Sequence, residues 1–127
     1  MTHRLIDDVR NALLGVTKHD GGCEARYRFS PDLLLFEGHF PGDPVLPGVL
    51  QIEMVRTALS SLLQARLHIR QVRSAKFKRR IAPGEEAIVR LLCTESSGNL
   101  DVKAEITVDG QDAALISLVT QEEMRRS

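Results

Sequence analysis

Two side chains suited to moving protons, His39 and Glu53, stand 14 positions apart across a stretch that neither helix nor strand can bridge. Between Gly38 and Gly48 the chain holds three prolines and three glycines, a density that breaks regular structure and stiffens a loop. Imidazole gives and takes protons near neutral pH, and a carboxyl partner supplies the complementary step of acid–base catalysis. A loop of this kind can bring His39 near Glu53 or near the same helix of a second copy. The plainer alternatives are a histidine that only packs the loop and a glutamate that only pairs with Arg56. His3, His19 and His68 have no comparable setting and read as surface residues, and Glu37 as a solvated loop acid.

Glu53 belongs to a helix that starts abruptly. Pro47 and Gly48 fix its beginning, because proline gives up nothing in a first turn where N–H groups lack partners. Apolar residues then recur at 50, 54, 58 and 62 and at 52, 55, 59 and 63, two rows at helical spacing. Val49, Glu53, Arg56, Thr57 and Ser60 form a narrow mixed stripe beside them. So little charge on the outward side predicts a helix wrapped by other structure. Within such a wrapping a carboxylate is costly unless it is paired or used.

The composition bounds the rest. At 127 residues, 43% apolar and 27% charged, the sequence reads as one globular domain over 1–127. Met1 to Asp8 is polar and acidic, unlike a signal peptide, and no apolar run approaches the roughly 20 residues that span a bilayer. The expectation is a cytoplasmic protein with no membrane span. Cys23 and Cys93 read as small buried hydrophobes rather than a disulfide or a nucleophile. Seventeen basic and seventeen acidic residues cancel, yet from Met54 to Gly84 there are eight basic residues and no acid. That block reads either as a docking surface for an acidic partner protein, centred on Arg73, Lys76, Lys78, Arg79 and Arg80, or as an ordinary solvated face. A nucleic-acid surface fits less well, since the chain has one tyrosine and no tryptophan for stacking.

In chain order, residues 4–14 favour a short helix, with 13–17 open to a strand reading. Asp20-Gly21-Gly22 is a hairpin turn, and Cys23, Ala25, Tyr27 and Phe29 alternate with polar residues as in a half-buried strand. After the long helix and an exit over 65–70, strands are expected over 71–80, 87–93, 100–108 and 113–119, joined by short turns, and then a fraying tail from Thr120. Closely spaced turns imply antiparallel neighbours. The architecture is therefore α+β: an antiparallel sheet covered by one dominant helix. Its open edges are suited to pairing in a dimer.

Phe36-x-Gly38-His39-Phe40-Pro41-Gly42-x-Pro44-x-x-Pro47-Gly48-Val49-Leu50-x-x-Glu53 resembles the active-site segment of the 3-hydroxyacyl-(acyl-carrier-protein) dehydratases of fatty-acid synthesis. Lys76 to Glu85 resembles the strand and turn that follow it. The resemblance is close over 36–57 and 73–90 and elsewhere extends only to layout. It implies a hotdog fold, a sheet wrapped around one long central helix. It also implies a homodimer, or a higher oligomer of dimers, fed by acyl carrier protein and needing no cofactor or metal. His39 would remove a proton from C2 of the thioester and Glu53 would protonate the departing 3-hydroxyl, the two coming from opposite subunits. Backbone N–H groups of Gly48 or Val49, with Gly42 contributing, would bind the thioester carbonyl. An acyl tunnel would run along the helix, closed by Leu50, Met54, Leu59 and their neighbours.

The residue types suit that chemistry. Charge builds on the carbonyl oxygen as the C2 proton leaves, and a helix N-terminus presents unpaired N–H groups to it. The departures are Arg56 and Thr57, where many relatives carry alanine and glutamine. Arg56 can pair with Glu53, and Thr57 removes a polar neighbour. The sequence implies a divergent member of the family. Thioester hydrolysis on the same kind of fold, or a non-catalytic acyl-binding or partner subunit, are the alternatives.

Overall fold

The computed structural model describes residues 3–33, 36 and 45–123. His39, Gly42 and Glu37 lie outside the described residues. The chain forms α1 (His3–Asn11), β1 (Leu13–His19), β2 (Gly22–Arg28), α2 (Gly48–Leu63), β3 (Leu67–Phe77), β4 (Glu86–Ser96), β5 (Asn99–Val108) and β6 (Gln111–Glu122). The strands make one six-stranded sheet in the order β1-β2-β4-β5-β6-β3, antiparallel at every pairing. This is the hotdog arrangement.

Alternation decides which face of the sheet turns inward. Cys23, Ala25 and Tyr27 on β2, Val89 and Leu91 on β4, Val102 and Ile106 on β5, and Ile116 and Leu118 on β6 are all buried in one core. Their neighbours Arg26, Arg28, Arg90 and Lys103 are exposed. The inward face closes on α2, whose Leu50, Met54, Val55, Ala58 and Leu59 are buried. Both apolar rows of α2 are thus used, Ile52 and Leu62 packing half-buried against the same core while Leu63 stays exposed.

Several element boundaries differ from the sequence reading. The first helix gives way at Ala12, so that Leu13 already lies in β1, which pairs with β2. Strand β3 begins at Leu67 and stops at Phe77, short of the basic cluster at 78–80. Residues Thr120 to Glu122 do not fray: they continue β6 against the start of β3, and Thr120 is fully buried. Pairing partners far along the chain decide these ends, and local periodicity does not report them.

The helix is tied to the sheet by a polar contact as well as by apolar burial. The fully buried Tyr27 donates its hydroxyl proton to the Met54 carbonyl at 2.8 Å and lies 2.5 Å from Thr57 Oγ1. Burial pushes the phenol well above its ordinary pKa, so the group stays neutral as a pure hydrogen-bonding tether. Thr57 therefore serves the join between β2 and α2. Tyr27→Phe keeps the ring and its stacking on Phe29 but removes the tether. Urea unfolding is expected to show a loss of about 1–2 kcal/mol; an unchanged midpoint would mean that the hydroxyl contributes nothing.

Candidate active site

The site is built at the first turns of α2. Pro47 adopts extended geometry (φ −60°, ψ 145°) ahead of Gly48, and its carbonyl accepts from the N–H groups of Leu50 and Gln51 at 3.1 and 3.3 Å. Among the described residues nothing accepts from the N–H of Gly48 or Val49, and no side chain caps the helix. Two donors at the positive end of a helix are thus available to an oxygen carrying developing charge. Leu46 anchors the approach, its N–H donating to the Ile81 carbonyl at 2.8 Å.

Gly48 is required by a close neighbour. A Cβ at that position would come within 2.8 Å of the Phe77 ring, which lies across the start of the helix from the end of β3. Phe77 is 48% exposed and Val49 57% exposed, so the two flank an accessible apolar rim around the free N–H groups. The sequence places Phe77 in the basic block and gives no sign that it reaches Gly48.

Glu53 lies on the same helix, about 7.5 Å further along its axis at the standard rise. Its carboxylate is largely buried and takes a hydrogen bond on Oε2 from Arg56 Nε at 2.6 Å, the two side chains being 11% and 17% exposed. Arg56 also donates through an Nη to the Leu67 carbonyl at 3.4 Å, joining α2 to the start of β3. The pair expected from the sequence is formed, and among the described residues Oε1 has no partner. Thr57 turns away toward Tyr27. Gln51, also buried, donates to the Leu46 carbonyl at 3.3 Å, while its Oε1 has no partner among the described residues.

Leu50, Met54 and Leu59, expected to bound an acyl tunnel, pack against the sheet, each no more than 2% exposed. Open space lies along the polar stripe of α2. There a cleft of about 870 Å³ is lined by Arg56, Thr57 and Ser60 and extends to the C-terminal end of the helix.

The basic surface divides into committed and uncommitted groups. Arg79 makes two hydrogen bonds to Glu85, at 2.8 and 3.1 Å, and reaches Gln111. These bonds, together with the Ala82 N–H, hold the Glu85 carboxyl below its ordinary range. Arg73 faces Asp101 at 3.4 Å. Lys76 and Lys78 are exposed and have no ion-pair partner among the described residues. The acid-free run in the sequence conceals partners supplied by the following turn and by β5.

A family model for ApeI-like dehydratases, described as ApeI dehydratase, matches residues 16–116. The chain belongs to this family. The chain also has curated relatives among the 3-hydroxyacyl-[acyl-carrier-protein] dehydratases. The 3-hydroxyacyl-[acyl-carrier-protein] dehydratase FabZ of Latilactobacillus sakei is 36% identical over 102 residues, covering 74% of this chain and 73% of its own. FabZ of Ligilactobacillus salivarius is 36% identical over 92 residues, covering 66% of each. These matches make the ApeI-like chain an enzyme of the dehydratase class.

Solved structures agree on the fold. The dehydratase heterocomplex ApeI:P from Xenorhabdus doucetiae superposes with a TM-score of 0.72 at 24% identity, covering 86% of this chain and 96% of that one. A hypothetical thioesterase with coenzyme A from Streptococcus pneumoniae gives 0.69 at 12% identity, with 97% of each chain covered. At such identities the likeness is one of fold and says nothing for hydrolysis over dehydration.

Neither cysteine is poised for nucleophilic work. Both are free, and burial pushes the Cys23 thiol up to about 11 and raises that of Cys93 as well. Alkylation with iodoacetamide near neutral pH is expected to leave turnover unchanged. Stoichiometric inactivation, followed by mass spectrometry, would place a thiol in the site.

Proposed function

We propose that the protein dehydrates a 3-hydroxyacyl thioester carried on acyl carrier protein, giving the trans-2-enoyl thioester and water. The observation that carries this reading is the occurrence, on one helix, of the N–H groups of Gly48 and Val49, which have no acceptor among the described residues, together with the arginine-held carboxyl of Glu53. The thioester oxygen sits at the helix start, where the N–H groups stabilise the charge that builds as C2 loses its proton. His39 takes that proton. Glu53 enters this step as the protonated acid, Oε2 accepting from Arg56 and Oε1 carrying the proton; it gives that proton to the 3-hydroxyl as the C3–O bond breaks and water leaves, and the proton held by His39 returns to Glu53 to close the cycle. Gly42 adds to the binding of the carbonyl from the loop.

The site is completed by a second copy of the chain. Strand β3 is an 11-residue edge, exposed from Arg70 through Ser74, with Val72 44% exposed on it. An unpaired edge of that length favours pairing with another strand. In such a pair of copies, His39 of one would serve Glu53 on the α2 of the other. The same face delivers the substrate, with Lys76, Lys78 and Arg80 meeting the acidic carrier while Arg73 and Arg79 hold the surface together.

Two measurements test this reading. Incubation with a 3-hydroxyacyl carrier-protein thioester, followed by intact mass and ultraviolet absorbance, should show loss of one water and a conjugated enoyl product. His39→Ala and Glu53→Gln should each lower kcat by about 100-fold or more. Release of free carrier thiol would replace dehydration with hydrolysis, and no reaction on any acyl chain would favour a binding subunit.

For docking, the double change Lys76→Glu and Lys78→Glu is expected to raise KM for carrier-bound substrate about tenfold while sparing a small thioester mimic. Equal losses on both substrates would remove the docking role. Arg79→Glu is a poorer probe, because it sets two carboxylates together in the turn at Glu85 and disturbs the surface itself.

A further inference from the structure

Past Glu53, the polar stripe of α2 leads into the cleft of about 870 Å³. Thr57, Ser60, Ser61 and Gln64 of the helix and its C-cap line it, with Arg10, Arg66, Glu122 and Glu123 from other parts of the chain. Arg56 lines this space and Glu53 does not. The Arg56 side chain therefore stands between the site carboxyl and the cleft. It is fixed to Glu53 Oε2 at 2.6 Å and to the Leu67 carbonyl at 3.4 Å, and it is only 17% exposed.

The dehydratase reading, on which this inference rests, gives the substrate a direction. With the thioester carbonyl at Gly48 and Val49 and C3 beside Glu53, the remaining carbons run toward the C-terminal end of α2. They meet Arg56 within one turn, about 4.5 Å of helix rise. We propose that Arg56 sets acyl specificity: it closes the path just beyond C3, so that short acyl chains are preferred, and in the same position it orients Glu53.

Two costs act against a long alkyl tail. It must displace a guanidinium that is hydrogen-bonded at both ends, which leaves Glu53 without its partner in a largely buried setting. The space beyond is lined mostly by hydroxyl, amide and charged groups, with Leu13 and Ala65 its apolar members, and an alkyl chain lying on the polar groups strips their water without replacing its hydrogen bonds. A short chain ends before either cost arises. Removing the guanidinium opens the passage and frees Glu53 to take other rotamers, so specificity and turnover should change in different ways.

The test compares kcat and KM for 3-hydroxyhexanoyl and 3-hydroxydodecanoyl carrier-protein thioesters in wild type, Arg56→Ala, Arg56→Met and Arg56→Lys. Wild type should favour the shorter chain. Arg56→Ala and Arg56→Met should shift the kcat/KM ratio toward the longer chain by about tenfold or more, while kcat on the shorter one falls. Arg56→Lys, which keeps the charge, should retain the wild-type ratio. Arg56→Met keeps an apolar stem of similar length, so it gives the ratio even if the alanine variant does not fold. A uniform fall on both chains with the ratio unchanged would overturn the proposal and leave Arg56 as a structural tie. A wild type active on neither thioester would instead bring down the dehydratase reading, and this inference with it.

Discussion

A carboxylate on a wrapped helix must be answered, and the ion pair of Glu53 with Arg56 is the answer on which the site depends. Both partners sit on α2, three positions apart, so the helix itself presents them to each other. At an exposed position such a pair contributes little. At 11% and 17% side-chain exposure the balance changes, because removing either partner strands the other in a largely dehydrated place. The second hydrogen bond of Arg56, to the Leu67 carbonyl, carries the constraint from the helix to the edge strand β3. Position, charge and the geometry of the edge are set together.

Everything around α2 follows from its having two apolar rows. One flat sheet face covers one row, so a helix with two needs a sheet that curls, and six antiparallel strands provide one, with hairpins at β1–β2, β4–β5 and β5–β6 and the helix itself in the crossover from β2 to β3. The mixed stripe takes the polar groups of the helix: it runs from the N–H groups of Gly48 and Val49 past the buried Glu53 and the half-buried Arg56 to the polar cleft. Tyr27 tethers α2 from within at Met54 and Thr57, on either side of Arg56, so the stripe has little freedom to rotate. Along the helix the stripe presents first the N–H groups of Gly48 and Val49, then the Glu53 carboxyl, then the Arg56 guanidinium.

Much of this was legible in the sequence, for identifiable reasons. The long helix, its abrupt start and the Glu53–Arg56 pair are local in character, fixed by residues within a turn or two of one another. The hairpins announced themselves through Asp-Gly and Gly-Asn turns. What could not be read depends on contacts between residues distant in the chain. Strand β3 starts at Leu67 because Glu122 is there to pair with it, and β6 continues to Glu122 for the reciprocal reason. Thr57 read only as the loss of a polar neighbour for Glu53 and is in fact a partner of Tyr27, 30 positions away. The Phe77 ring over Gly48 left no mark in either local pattern. The basic block looked uniform because the acids that occupy Arg73 and Arg79 lie outside it.

The central claim is that Glu53 on the α2 of one copy works with His39 of another. The most direct measurement is complementation between two inactive variants, His39→Ala and Glu53→Gln, co-expressed and purified as mixed dimers. Each mixed dimer would contain one site with both residues intact and one with neither. Activity should return to on the order of a quarter of the wild-type rate for random mixing, since about half of the dimers are mixed. No recovery in a sample shown by mass to contain mixed dimers would contradict the account, because it would mean that both residues act within one copy of the chain.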